Sequence, residues 1–170
     1  MISGALTYLR ALEPADAQLL YDWENDLELW CGGTTKPISL TDIKLFIEHS
    51  ELDIYQSREL RLMIVETKTG ATVGSIDLYE FDPFHLHGSI GIMLHKNFRG
   101  RGLATDAIGA FTKYLFEFYG IRALCATTAE SNTDSAELFT RCNFKFTGRR
   151  PCWLRNGKIY EDELIFTLTP

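Results

Sequence analysis

A glycine-rich turn between an apolar strand and an amphipathic helix is the feature that most constrains the fold of this chain. The turn spans Asn97–Thr105 and reads Asn-Phe-Arg-Gly-Arg-Gly-Leu-Ala-Thr. Before it, Ile90–Leu94 form a short apolar run, which is typical of a strand. After it, apolar residues recur at spacings of three and four over residues 103–118, which is typical of one face of a helix. The chain is therefore predicted to pass from a strand, through a tight turn, directly into a helix.

Such a junction is suited to binding phosphate. The first N–H groups of a helix have no intrahelical partner, and the positive end of the helix dipole attracts anions. Gly100 and Gly102 carry no side chains that would keep a phosphate away from the backbone, and Arg99 and Arg101 add positive charge. The turn therefore predicts a cradle for a diphosphate. An ordinary surface turn carrying two arginines is the alternative for the loop taken alone.

Two familiar phosphate motifs are excluded. The third glycine of Gly-x-Gly-x-x-Gly falls at Thr105, so the dinucleotide-binding pattern is incomplete. No Gly-Lys-Ser/Thr occurs in the chain, which excludes the phosphate-binding loop of NTPases.

Length and composition predict one cytoplasmic domain. With 170 residues, 45% of them apolar, the chain can bury one substantial core, and residues 1–170 are predicted to form a single domain. It has no apolar run long enough to span a bilayer, and its N-terminus lacks the features of a secretory signal. The formal charge of −6 argues against nucleic acid as a partner and is compatible with a cationic substrate. No metal site is predicted, because the cysteines are widely spaced: Cys31, Cys125, Cys142 and Cys152.

Hydrophobic periodicity predicts an α/β fold with a mixed central sheet of about seven strands and helices on both faces. The predicted order is β-α-α-β-β-β-α-β-α-β-β. Ser39 is expected to begin the second helix, Ser131 is expected to cap the last one together with Asp134, and Asn156-Gly157 predicts a type I′ hairpin. The predicted strands cover residues 6–12, 60–66, 72–81, 90–94, 122–128, 145–153 and 158–168, and the helices cover 14–23, 39–50, 103–118 and 131–142.

Two motifs carry a resemblance to a known family. Arg99-x-x-Gly102-x-Ala104 resembles the element with which GNAT acetyltransferases bind the pyrophosphate of acetyl-CoA. Asn132-x-x-Ser135-x-x-Leu138-Phe139, followed by Asn-Phe, is similar to the family's second element, and the element order agrees over essentially the whole chain. The closing hairpin resembles that of the polyamine and ribosomal-protein N-terminal acetyltransferases. The resemblance implies a single acetyltransferase domain that binds acetyl-CoA through Arg99, Gly100, Arg101, Gly102, Leu103, Ala104, Thr105, Asn132 and Phe139.

N-acetylation sets definite chemical requirements. A primary amine with a pKa of about 10.4 is protonated at neutral pH, so a base must remove a proton, directly or through water. The oxyanion formed on acyl transfer needs N–H donors. In GNAT enzymes a splay beside the central strand exposes the backbone, which implies that Ile92, Met93 and Leu94 contact the pantetheine and the oxyanion.

Two departures from the family pattern affect the catalytic residues. The tyrosine that protonates the leaving thiolate in many relatives aligns with Phe139, which has no hydroxyl. The glutamate of the polyamine enzymes aligns with Ser89, so the base must lie elsewhere. Asp77 and Glu80 match acidic positions of those enzymes, and strand alternation places them on opposite faces, so only one of them can face the cleft. A solvated acid at a strand end is the alternative for each.

The resemblance implies that the acceptor is an amine, either a small polyamine-like molecule or a protein N-terminus. Trp30 could form a wall of its pocket, although core packing is the alternative, and His87 is expected in a loop pair with His85 near that pocket rather than in a metal site. No nucleic acid or membrane partner is expected, and a homo-oligomer is compatible with the sequence. Two other classes stay open: a catalytically weakened acyl-CoA-binding sensor or scaffold, and a nucleotide-dependent kinase or oxidoreductase.

Overall fold

Eight strands and five helices are found in the part of the chain that the computed structural model describes, residues 2–26, 36–50 and 52–170. The strands are β1 (Ile2–Ser3), β2 (Thr7–Arg10), β3 (Leu60–Glu66), β4 (Thr72–Asp82), β5 (His87–Leu94), β6 (Ala123–Ala129), β7 (Lys145–Asn156) and β8 (Ile159–Leu168). The helices are α1 (Ala17–Glu24), α2 (Leu40–His49), α3 (Ile54–Ser57), α4 (Leu103–Glu117) and α5 (Thr133–Arg141).

All eight strands belong to one sheet, in the order β1-β2-β3-β4-β5-β6-β8-β7. The predicted mixed α/β sheet is confirmed, with eight strands in place of about seven. The additional strand, β1, has two residues, too few to give a periodic signal. The central strand β5 begins at His87 instead of residue 90, because Gly88 and Ser89 interrupt the apolar run on which the prediction rested.

Helices cover both faces of the sheet. Along β3, Leu62 and Ile64 point into the core cluster that contains the apolar face of α4, whereas Met63 points into a second cluster formed with α1 and α2. Because alternate side chains of a strand point to opposite faces, β3 contributes residues to both clusters. The second cluster matters for the site, because α1 and α2 wall one side of the sheet near the central strands. None of the described helices is both long and apolar enough to cross a bilayer.

Local signals explain the helix starts, with one correction. The Ser39 hydroxyl accepts the Asp42 amide at 3.0 Å and caps α2, as predicted. The predicted cap at Ser131 is wrong: Asn132 is the N-cap of α5, and its side-chain oxygen accepts the Ser135 amide at 3.2 Å. The chain turns one residue later than expected, and the amide oxygen of asparagine serves there as well as a hydroxyl.

The last two strands form the predicted hairpin with a different turn. Asn156 pairs with Ile159, so the two-residue loop consists of Gly157 and Lys158. Of these two, Gly157 has positive φ, at 63°. A type I′ turn needs positive φ at both central residues, whereas glycine at the first central position is typical of type II′. The Asn-Gly pair therefore marks the hairpin correctly but lies one residue out of the predicted register.

The sheet splays open at its centre. Strands β5 and β6 are parallel and pair over His87–Ser89 with Ala123–Cys125, and beyond this they separate. Residues 90–94 of β5 remain paired with β4 on the other side. Over its last five residues, β5 is thus paired with β4 on one edge and has no partner in β6 on the other edge. The glycine-rich turn follows this stretch of β5.

Candidate active site

A cleft of about 1030 Å³ runs from the glycine-rich turn to the face of the sheet covered by α1. One end is lined by residues 99–106 at the start of α4 and by one side of α5, from Asn132 to Arg141. The middle is lined by Ile92, Met93 and Leu94 at the end of β5, and the other end by Glu24, Arg61 and Asp77, from α1, β3 and β4. The cleft therefore joins the predicted diphosphate cradle to one of the two predicted bases.

The turn has the geometry of an anion-binding helix start. Gly100 and Gly102 have φ of 72° and 77°, and Gly102 is the N-cap of α4, with no side chain capping the helix. A Cβ built at Gly100 meets nothing within 4 Å, and one at Gly102 meets Leu6 at 3.6 Å, so the left-handed backbone, not crowding, calls for glycine. The amides of Leu103, Ala104 and Thr105 occupy the first turn, whose N–H groups lack intrahelical acceptors.

The two arginines of the turn are used differently. The Arg99 Nε donates to the Leu94 carbonyl at 3.0 Å, which fixes the base of its guanidinium beside the end of β5. The Arg101 guanidinium forms an ion pair with the buried Glu66 and lies over the Phe98 ring, 5.6 Å from its centroid. The charge of Arg101 is therefore neutralised within the protein, and Arg99 is the better placed of the two to face a diphosphate.

The backbone of β5 offers donors to the cleft. The His95 amide donates to the Val73 carbonyl, so the backbone of His95 faces β4. Because successive residues of a strand direct their backbone groups to alternate sides, the backbone of Met93 also faces β4, whereas those of Ile92 and Leu94 face the splay. Of the three residues predicted to contact the acyl donor, Ile92 and Leu94 thus present their N–H groups on the open side.

An ion-pair network occupies the far end of the cleft. The Arg61 Nε and Nη2 donate to the two carboxylate oxygens of Asp77 at 2.5 and 3.3 Å, and Nη1 donates to Glu24 Oε1 at 2.9 Å. The three side chains are each about a quarter exposed. Burial raises the pKa of Asp77 above its ordinary value and outweighs the opposing effect of the Arg61 charge. A carboxylate with a raised pKa is a stronger base than an exposed one.

The other catalytic and substrate candidates lie outside this cleft. Glu80 is exposed in a bulge of β4, where its φ is 53°, and its carboxylate accepts the Ser89 hydroxyl at 3.3 Å. His87 is exposed at the start of β5 and stacks on His85 with ring centroids 5.8 Å apart. Among the described residues the structure places Asp77 in the cleft and leaves Glu80, Ser89 and His87 outside its lining.

The residues of the second motif are divided between cleft and core. Asn132 lines the cleft at the start of α5. Phe139 is 4% exposed and packs on Phe144 and Phe166 with centroids 5.5 and 6.2 Å away. Phe139 thus packs α5 against the hydrophobic core and does not belong to the cleft lining. Trp30, the other substrate candidate, lies outside the described residues.

Arg61 is the site residue that sequence reasoning missed. It lies in the apolar stretch Leu60–Met63, where it could be read as a solvated strand residue. The available signal was its position within a strand whose neighbours are buried, because a charged group there requires a partner of opposite charge.

Comparisons with known proteins agree with this architecture. Residues 7–145 match the family model described as Acetyltransferase (GNAT) domain. A spermidine N(1)-acetyltransferase of Vibrio cholerae is 23% identical over 138 residues, 80% of this chain and 77% of that protein.

Solved structures show the same fold. The crystal structure of a V. cholerae spermidine N-acetyltransferase with CoA and spermine superposes with a TM-score of 0.87 at 19% identity, covering 97% of this chain and 96% of the other. A V. cholerae protein provisionally assigned as a ribosomal-protein-serine acetyltransferase gives 0.77 at 20% identity, with 99% and 97% covered.

The fold, the cleft and the family model that covers residues 7–145 together place the chain among the acetyl-CoA-dependent acyltransferases. The chain belongs to the GNAT acetyltransferase family, because the family model covers most of its length. It is thus an acetyl-CoA-dependent N-acetyltransferase, and the kinase or oxidoreductase alternative no longer applies.

Proposed function

We propose that this enzyme transfers the acetyl group of acetyl-CoA to a primary amine, either a small polyamine-like molecule or a protein N-terminus, in the cytoplasm. The observation that carries the proposal is the continuity of the cleft, which has a diphosphate cradle at one end and the Asp77 carboxylate at the other. An enzyme that joins a coenzyme thioester to an ammonium ion needs these two features in one cavity.

The cradle end fits a coenzyme with a diphosphate. The fit rests on two glycines with positive φ, an uncapped helix start and the Arg99 guanidinium beside it. The backbone N–H groups of Ile92 and Leu94 are the donors available to a thioester carbonyl oxygen at the splay. When bound, acetyl-CoA supplies an activated acetyl group on a sulfur leaving group.

Asp77 is proposed as the base. An incoming alkylammonium has a pKa of about 10.4 and a protein N-terminus one of about 8, and either must lose a proton before its nitrogen can attack a carbonyl. The Asp77 carboxylate lines the cleft, and the neighbouring Glu24 adds negative charge that attracts the cation. The amine proton passes to Asp77, directly or through one water molecule, and the electron pair stays on nitrogen.

A dedicated general acid is not required by this scheme. The thiol that leaves has a reference pKa of about 8.5, so it departs as a thiolate far more readily than an alcohol would. Phe139 has no hydroxyl and is buried in the core, so α5 supplies no acid at that position.

Relatives support an amine acceptor without fixing its identity. The structures named above include one protein crystallised with CoA and spermine and one assigned to a ribosomal protein. Both acceptor types present a primary amine that is cationic at neutral pH, which suits Asp77 and Glu24. Purified enzyme tested against polyamines, amino sugars and peptides with free N-termini would identify the class, and a lack of transfer to every amine would favour the sensor or scaffold alternative.

The role of Asp77 can be tested by substitution. Asp77→Asn is expected to lower kcat/KM by about a hundredfold or more, which is the usual contribution of a general base. The pH profile of wild-type kcat/KM should have an acid limb, that is, a pH range over which kcat/KM increases as Asp77 ionises. Because the pKa of Asp77 is raised, the midpoint of this limb should lie above the ordinary carboxyl pKa, and the limb should be absent from the variant. Initial rates from pH 5 to 9 with the best acceptor of the panel measure both effects.

Glu80→Gln is the matched control, because Glu80 lies on the same strand outside the cleft. Its kcat/KM is expected to remain within about twofold of wild type and its pH profile to be unchanged. The reason is that Glu80 is exposed outside the cleft, where a substitution perturbs the fold little. If Glu80→Gln removes the limb and Asp77→Asn does not, the assignment of the base is reversed. If neither variant loses activity, a base elsewhere performs the step.

A further inference from the structure

Arg61 is fixed at the acceptor end of the cleft by contacts on three sides. Its guanidinium donates to both oxygens of Asp77 and to Glu24, and its Cζ lies 4.7 Å from the centroid of the Phe46 ring. A planar fork held by two carboxylates and an aromatic ring has little freedom to move. A guanidinium that only increased solubility would not be held in this way.

We propose that Arg61 is a positioning residue of the reaction, which holds the Asp77 carboxylate ionised and in one orientation toward the acceptor amine. This inference rests on the proposed role of Asp77 as the base. It adds a residue that touches neither substrate nor cofactor and acts through Asp77.

The pairing leaves Asp77 able to accept a proton. An ionised carboxylate has about four lone-pair positions, and the bidentate contact with Arg61 takes one on each oxygen. In the proposed step an N–H bond of the ammonium breaks, an O–H bond forms on Asp77, and the nitrogen retains the electron pair. Arg61 remains protonated throughout, since a guanidinium does not lose its proton in a protein.

The charges around Asp77 make this role necessary. Glu24 on α1 and Glu59, just before β3, both act on Asp77 as like charges. On its own strand lies the neutral phenol of Tyr79, from β5 it faces Gly91, and α2 contributes Phe46 against the guanidinium. Burial and two acids thus oppose ionisation of Asp77. Among the described groups that act on it, Arg61 is the cation that favours ionisation.

The test is the pH dependence of Arg61→Met, which keeps much of the side-chain volume and removes the charge. Loss of an opposite charge in contact with a carboxylate is expected to lower kcat/KM by about tenfold to a thousandfold at pH 6, with recovery as pH rises and Asp77 ionises. The acid limb should therefore move to higher pH. A direct readout is the titration of the Asp77 carboxyl carbon by NMR, which should move in the same direction.

Three further variants separate the charge of Arg61 from its shape and its packing. Arg61→Lys keeps a charge but not the fork, so its limb should fall between wild type and Arg61→Met. Glu24→Gln removes a like charge and should move the limb to lower pH. Arg149→Met removes an arginine from a surface pairing with Glu130 and Asp162, and should leave the limb unchanged. Circular dichroism identifies any variant that fails to fold, and Arg61→Lys then provides the test.

Parallel movement of the kinetic limb and the Asp77 titration supports the proposal. An equal loss of kcat/KM at every pH, with an unchanged Asp77 titration, would show that Arg61 is only structural and would overturn it. Failure of the proposed base is distinguishable, because it appears as full activity in Asp77→Asn, and failure of the proposed function appears as no transfer by the wild-type enzyme to any amine. The NMR titration still measures the effect of Arg61 on Asp77 in that case.

Discussion

At the residue scale, the site depends on two glycines that are needed for their backbone and not for space. Gly100 and Gly102 have positive φ, and the positions of their missing side chains are not crowded. This allows charge and backbone strain to be separated experimentally, because an added Cβ meets nothing within 4 Å at Gly100 and makes only an ordinary contact with Leu6, at 3.6 Å, at Gly102.

Gly102→Glu is expected to weaken acetyl-CoA binding by about a hundredfold or more, since the new carboxylate would lie where the diphosphate is proposed to bind and would repel it. Isothermal titration calorimetry with acetyl-CoA measures this. Gly102→Ala is the matched control: it introduces the same left-handed strain, of about 1 kcal/mol, but no charge. Equal affinity of Gly102→Glu and wild type would exclude a diphosphate from the cradle.

At the element scale, the start of α4 is tied to the N-terminal segment of the chain. The carboxylate of Asp106, in the first turn of α4, accepts the amides of Ala5, Leu6 and Thr7 at 2.8 to 3.0 Å and the Thr7 hydroxyl at 2.7 Å. Although burial alone would raise the pKa of Asp106, these hydrogen bonds outweigh it and lower the pKa. The acid lines the cleft but is fully engaged by the protein, so it does not offer a free charge to oppose a bound anion.

Asp106→Asn is expected to reduce the free energy of unfolding at pH 7 by roughly 1–3 kcal/mol, because asparagine offers one acceptor oxygen and no charge to four donors. A folded-state pKa below the unfolded one contributes stability above the unfolded pKa, and this stability is lost as pH falls through the folded pKa. The difference between wild type and variant should therefore shrink on acidification. Urea unfolding from pH 7 to pH 3 measures it, and a difference independent of pH would contradict the assigned hydrogen bonds.

The residues at which helices and turns begin also show how far the local sequence determines element boundaries. The Ser39 cap and the strand-turn-helix at Gly102 are predicted correctly, because the deciding groups lie within a few residues of each other. The cap of α5 and the final turn are each off by one residue, at Ser131 and at Asn156. The one-residue shift of the final turn is settled by the register in which β7 pairs with β8, and that register depends on the whole length of the two strands and not on the turn residues alone.

At the scale of the whole molecule, the cleft exists because β5 leaves β6 while it stays paired with β4. The opening connects the face covered by α4 with the face covered by α1 and α2. A ligand lying along the cleft would contact α4, α5 and the central strands together, so binding should stabilise the molecule as a unit.

Acetyl-CoA at a hundred times its Kd is expected to add about 2.7 kcal/mol to the free energy of unfolding. For a chain of this size that corresponds to an increase in Tm of about 5–10 °C. ATP and NAD at the same concentration should have much smaller effects, and Gly102→Glu should lose the response to acetyl-CoA. Differential scanning fluorimetry makes the comparison, and equal shifts with all three ligands would indicate only general anion binding.

The sequence by itself determined the sheet with helices on both faces, the glycine turn and its helix, and Asp77 as a candidate base. The first two follow from periodicity and from residue types whose backbone preferences act locally, whereas Asp77, together with Glu80, was a candidate because it matches an acidic position of the polyamine enzymes that the chain resembles. Only the tertiary structure decided that Asp77, and not Glu80, lies in the cleft, that Arg101 is neutralised by Glu66, and that Arg61 holds the proposed base. Each of these depends on which side chain meets a partner from another strand or helix, and such long-range pairing leaves no local pattern in the chain.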